Sequence, residues 1–114
     1  MATYVNHMVE QKLDLTFAAL ADPTRRAMLA ALRGGERSIG DLAAPHAMTF
    51  AGAAKHVGVL ARAGLIERRK VGRQQLCRLQ AERFAEAEAW LAEWTRFWNH
   101  QLDALEAALR EDQE

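Results

Sequence analysis

TFAGAAKHVGVLARAGLIERRKVGRQQLCRL, from Thr49 to Leu79, is a short helix running straight into a basic hairpin. Thr49 has the side chain of a helix N-cap, and Ala53, Val57 and Leu60 recur at the spacing of one buried helical face over 50–63. Gly64 suits the left-handed position that stops such a helix. Residues 65–71 and 74–79 then read as two strands, and Gly72-Arg73 stands where a tight hairpin needs positive φ. Lys55, Arg62, Arg68, Arg69, Lys70, Arg73 and Arg78 face one acid, Glu67, a balance of +6. A basic stripe on a compact element is the electrostatic footprint of nucleic-acid binding.

Charge elsewhere sharpens the contrast. Residues 1–48 carry five charges of each sign, and residues 80–114 carry Arg83, Arg96 and Arg110 against nine acids, a balance of −6. The chain's zero net charge therefore conceals a basic segment and an acidic one. Upstream, residues 1–8 read as a flexible lead-in and 9–21 as a first helix, with Leu13, Phe17 and Leu20 at helical spacing and Leu15 and Thr16 off that stripe. Asp22-Pro23 is a helix start, a capping aspartate followed by proline in the first turn, and Gly34-Gly35 ends that helix. Arg37-Ser38 can pair as a minor strand, and a third helix spans about 39–45.

Residues 81–111 form one helical pattern free of Gly and Pro. Its stripe is Phe84, Ala87, Leu91, Trp94, Trp98, Leu102, Leu105 and Leu109, close to a heptad seam. At roughly 1.5 Å per residue this helix outreaches the rest of a small domain. Part of its face is expected to meet something other than its own core, most simply the same helix in a second copy.

The 114 residues fit one domain, 9–114, in which 38–79 are the helix-turn-helix and wing. The expected fold is mainly α with a small β-hairpin: a winged helix-turn-helix flanked by helices. No run approaches the roughly 18 apolar residues of a membrane span. No secretory signal pattern is present, and one cysteine, Cys77, excludes an internal disulfide framework, so a cytoplasmic location is expected. Ser38 is the single serine and has no nucleophile motif around it, and there is no glycine-rich phosphate loop, so the chain reads as no enzyme. His7, His46, His56 and His100 share no ligand spacing, and neither a metal nor a cofactor is expected.

Two motifs resemble a known family. FAALADPTRRAML, residues 17–29, resembles the second-helix signature of ArsR-type (arsenic-repressor-like) transcriptional regulators. Residues 49–66, with Lys55-His56 and then Arg62-Ala63-Gly64-Leu65-Ile66, resemble that family's recognition helix and its exit into the wing. The resemblance implies a homodimeric winged-helix repressor of double-stranded DNA whose first and last helices, 9–21 and 81–111, form the dimer interface. Its fourth helix would enter the major groove. Metal-sensing relatives often carry a Cys-x-Cys pair in the third helix, where this chain has Ser38-Ile39-Gly40-Asp41-Leu42, so the fit is to the metal-independent branch.

The expected DNA-contacting residues are Thr49, Phe50, Gly52, Ala54, Lys55, His56 and Arg62 on the helix and Arg68, Lys70 and Arg73 on the wing. Lys55 can reach a guanine edge or a phosphate, and Phe50 or Ala54 a thymine methyl. Strand alternation sets Arg68 and Lys70 on one face and Arg69 on the other. The expected dimer contacts are Leu13, Phe17, Leu91, Trp94, Trp98, Leu102 and Leu105. Plainer readings exist for each: a solvated helix face, a charged edge strand that resists aggregation, and aromatic packing. Two rival functions stay open. One is a protein-interaction module with a basic wing. The other is a ligand- or metal-responsive sensor whose DNA binding is switched, with an apolar effector among Trp90, Trp94, Phe97 and Trp98.

Overall fold

In a computed structural model, which describes the backbone of residues 2–113 and the side chains of residues 10–112, the elements follow the expected order. They are α1 (Ala2–Leu20), α2 (Pro23–Ala31), β1 (Arg37–Ser38), α3 (Ile39–Ala43), α4 (Phe50–Arg62), β2 (Ile66–Val71), β3 (Gln74–Leu79) and α5 (Ala81–Gln113). Single turns of 3-10 helix, Leu32–Gly34 and Ala44–His46, follow α2 and α3. The chain divides into two compact units, one ending at Phe84 and the other beginning at Ala85. The expected lead-in of residues 1–8 is helical from Ala2 onward, and Met1 lies outside the described residues.

Local chemistry explains the boundaries. The Asp22 carboxylate accepts the Arg25 N–H at 2.9 Å at the start of α2, with Pro23 in its first turn. Ser38 caps α3 by accepting the Asp41 N–H at 3.1 Å, and Thr49 caps α4 by accepting the Gly52 N–H at 3.0 Å. At the far end of α4, Gly64 takes φ +77°. The Leu65 N–H donates to the Leu60 carbonyl at 3.1 Å and the Gly64 N–H to the Ala61 carbonyl at 3.0 Å. That paired closure satisfies the last carbonyls of the helix and turns the chain directly into β2. Gly72, with φ +60°, opens the two-residue hairpin turn between β2 and β3.

The sheet has three strands in the order β1-β3-β2, all antiparallel. The minor strand Arg37–Ser38 forms and pairs with β3, setting Arg37 opposite Cys77 and Ser38 opposite Leu76. In β2 the register places Ile66, Arg68 and Lys70 opposite Leu79, Cys77 and Gln75, so these share one face, while Arg69 lies on the other.

The core gathers Met28, Leu29 and Leu32, then Ile39, Leu42 and Ala43 of α3, then Ala53, Val57 and Leu60 of α4, together with Ala19, Leu65, Ile66 and Cys77. In α1 the buried face differs from the expected one. Thr16 and Ala19 are buried, while Leu13, Phe17 and Leu20 are half-buried. Small side chains allow close approach of α1 to its neighbours, and Thr16 meets burial by donating its Oγ1 proton to the Lys12 carbonyl at 3.0 Å. Cys77 is fully buried, because its side chain lies on the face of β3 that packs into the core.

In the second unit, the α5 stripe is solvent-exposed: Leu91, Trp94, Trp98, Leu102, Leu105 and Leu109 show between 49% and 59% of their surface. Trp94 meets Phe97 edge-on at 6.1 Å between centroids, and Phe97 meets Trp98 at 5.3 Å. Among the described residues, no helix is long and apolar enough to cross a membrane.

Candidate nucleic-acid interface

The helix and hairpin that carry the basic residues are fixed to one another by backbone. The α4 closure at Gly64 and Leu65 leads into β2, and the Gln80 N–H donates to the Leu65 carbonyl at 2.9 Å, tying the exit of β3 to the same point. Helix α4 and the hairpin therefore share one hydrogen-bonded root. At their outer ends, Phe50 of α4 and Arg73, Gln74 and Gln75 of the hairpin line one cleft of about 160 Å3 with Ser38, Ile39 and Gly40.

Along α4, Thr49, Phe50, Lys55 and Arg62 are exposed and Gly52 is half-buried. Two of the expected contact residues sit differently. Ala54 is half-buried and packs on the core, because it lies three positions before the buried Val57 and flanks that face. His56 lies four positions before the buried Leu60, is half-buried, and is held from behind. The Arg25 guanidinium reaches the His56 Nδ1 at 3.3 Å, the Ala19 carbonyl through Nε at 2.8 Å and the Ala18 carbonyl at 3.0 Å. A guanidinium only donates, so in this contact the His56 Nδ1 is the acceptor. Arg25 thus joins the end of α1, the start of α2 and the middle of α4. Its backbone N–H in turn holds the Asp22 carboxyl below the usual carboxylate range.

The wing sorts its cations into two sets. Arg69 makes a two-pronged ion pair with Glu36, at 2.7 and 2.8 Å, and Arg78 grips Glu67 at 2.6 and 2.9 Å. The Arg69 guanidinium holds the Glu36 carboxyl below its ordinary range, and Glu36 raises Arg69 in return. Arg68, Lys70 and Arg73 are exposed and, among the described residues, have no carboxylate partner. The local positive potential therefore comes from these three together with Lys55 and Arg62 of α4. Burial pushes the Cys77 thiol up, away from the reactive thiolate.

Sequence patterning singles out Lys55, Arg68, Lys70 and Arg73, which are exposed, and does not mark the contacts of Arg25 and Glu36. The Arg25–His56 and Glu36–Arg69 contacts span 31 and 33 residues. The sole early signal is that Arg25 sits three residues after the Asp22 cap. Among the described residues, no group of three or more His, Cys, Asp or Glu side chains could hold a metal ion.

Comparison with known proteins points one way. A family model described as a helix-turn-helix domain matches residues 20–69. A crystal structure of an ArsR family transcriptional regulator is 40% identical, with 79% of this chain and 93% of that chain covered and a TM-score of 0.75. An ArsR-like transcriptional regulator from Rhodococcus sp. RHA1 is 30% identical, with 92% and 93% covered and a TM-score of 0.68. A solution structure from Mycobacterium bovis, a homodimeric winged helix-turn-helix DNA-binding domain, shares the fold at 23% identity, with 86% and 88% covered and a TM-score of 0.63. No curated protein matches the chain.

Proposed function

This chain belongs to the ArsR family of transcriptional regulators, and we propose that it acts as a homodimeric repressor that occludes its promoter. It is a DNA-binding regulator and not an enzyme. The observation that carries the proposal is the shared root of α4 and the hairpin, with the exposed Phe50 and Arg73 along one cleft. In this reading α4 enters the major groove, with Thr49, Phe50, Gly52 and Lys55 toward the base edges. Arg62, Arg68, Lys70 and Arg73 sit on the flanking phosphates. His56 and Ala54 act from behind, aligning the helix rather than touching DNA.

Self-association is supported by the exposed α5 stripe and by the homodimeric relative from Mycobacterium bovis. The seam would comprise Leu91, Trp94, Trp98, Leu102 and Leu105, joined by the half-buried Leu13 and Phe17 of α1. Two copies would then present their α4 helices to half-sites about one helical turn apart on a partly palindromic operator. DNA binding is metal-independent in this proposal, as Ser38 to Leu42 supply no thiolate pair. The site of action is the cytoplasm.

The test is fluorescence anisotropy with duplexes from the gene's own upstream region, at two salt concentrations and against scrambled competitor. Binding that survives the competitor and weakens steeply with salt is expected. Lys55→Ala and Arg73→Ala should each flatten the salt slope by up to about one unit where the residue meets a phosphate. Weak binding matched by scrambled DNA would turn the function toward a protein partner of the basic wing.

A further inference from the structure

Between the cap Thr49 and Lys55, the recognition helix carries no amide, carboxylate or second hydroxyl: the intervening residues are Phe50, Ala51, Gly52, Ala53 and Ala54. Ala53 is buried and Ala54 packs on the core. The Thr49 Oγ1 accepts the Gly52 N–H as the cap, which leaves its hydroxyl proton as the one side-chain donor ahead of Lys55. Ala51 is exposed, but its side chain ends at Cβ. The nose of the helix is therefore dominated by the Phe50 ring, 63% exposed and lining the same cleft as Arg73.

A single exposed aromatic on a protein surface has no meaning by itself. Here it occupies the first turn of the element that addresses base edges, next to a guanidinium without a carboxylate partner among the described residues. A major groove offers donors, acceptors and one apolar group, the C5-methyl of thymine. A helix nose with a ring and almost no hydrogen-bonding side chains can discriminate there chiefly through that methyl. We infer that Phe50 is a specificity-determining residue that reads a thymine methyl in each half-site, beside the phosphate held by Arg73. The inference rests on the DNA-binding reading above and names the base class that the reading leaves open.

The experiment begins by enriching duplexes from a random pool with the intact protein. Each thymidine of the enriched half-site is then replaced singly by deoxyuridine, which deletes the methyl and leaves every donor and acceptor in place. One position per half-site should weaken binding about fourfold, and both together about fifteenfold. Phe50→Ala, at an exposed site, should keep the thermal unfolding midpoint and bind thymidine and deoxyuridine duplexes equally. Wild-type tolerance of deoxyuridine at every position would overturn the inference, and so would discrimination that persists in Phe50→Ala. Both outcomes would leave sequence-specific binding standing. A pool that enriches no sequence would overturn this inference and the sequence-specific reading together.

Discussion

Two helices of this chain carry apolar stripes of similar period and differ in what happens to them. In α4, Ala53, Val57 and Leu60 are wholly buried within their own unit. In α5, Leu91, Trp94, Trp98, Leu102, Leu105 and Leu109 remain about half exposed. Their sequences differ in punctuation. The α4 stripe lies between a threonine cap and a glycine stop and turns at once into a strand that folds back. The α5 stripe runs on through 33 residues without Gly or Pro. A repeating apolar face announces that burial is wanted, and the chain's turns decide whether the same copy can supply it.

The comparison is broken most forcefully in α4. Leu60→Ala should cost about 2–5 kcal/mol, because it leaves a cavity among fully buried neighbours. Denaturant unfolding should report that loss at every protein concentration alike. Leu102→Glu on α5 should behave in the opposite way. A charge placed in an apolar seam is expected to weaken self-association by about 2 kcal/mol, roughly thirtyfold, and to leave the first unit folded. Sedimentation should show monomers, and the unfolding midpoint should lose its concentration dependence. A Leu102→Glu variant that stays dimeric would place that residue outside the seam.

The smallest effect concerns acid. Asp22 and Glu36 both titrate below the usual carboxylate range when folded, through the Arg25 backbone N–H and the Arg69 side chain respectively. Each binds a proton more readily unfolded than folded. Their stabilisation is therefore complete above the ordinary carboxylate range and is lost as pH falls through the lowered folded values. Glu36→Gln should flatten the stability–pH curve below about pH 5 while changing neutral stability little, as befits a surface pair. An unaltered acid limb in Glu36→Gln would show that the pair contributes nothing measurable to folding.

Much of this molecule was legible before any coordinates. Asp22-Pro23, Thr49, Gly64 and Gly72 punctuate the chain where the helices and the hairpin start and stop, because capping and positive φ are set by neighbours within a few residues. The inward face of α4 was equally plain. The face of α1 was not. Thr16 and Ala19 are buried in preference to Leu13 and Phe17, since close helix approach favours small residues and periodicity weighs only apolarity. The braces of the interface were hidden as well. Arg25 to His56 and Glu36 to Arg69 are long-range meetings of polar groups, and nothing in local spacing marks which arginine of a basic cluster meets a carboxylate and which does not.

Cys77 offers the molecule an internal clock. It is the chain's single cysteine, it has no exposed surface, and it sits in the strand paired on both sides, by Arg37 of β1 and Arg68 of β2. A thiol reagent can reach it only after the core beneath the sheet opens, so at reagent concentrations where labelling outpaces reclosing the rate counts those openings. Timed with and without DNA, that one sulfur would report how firmly an operator holds the wing shut.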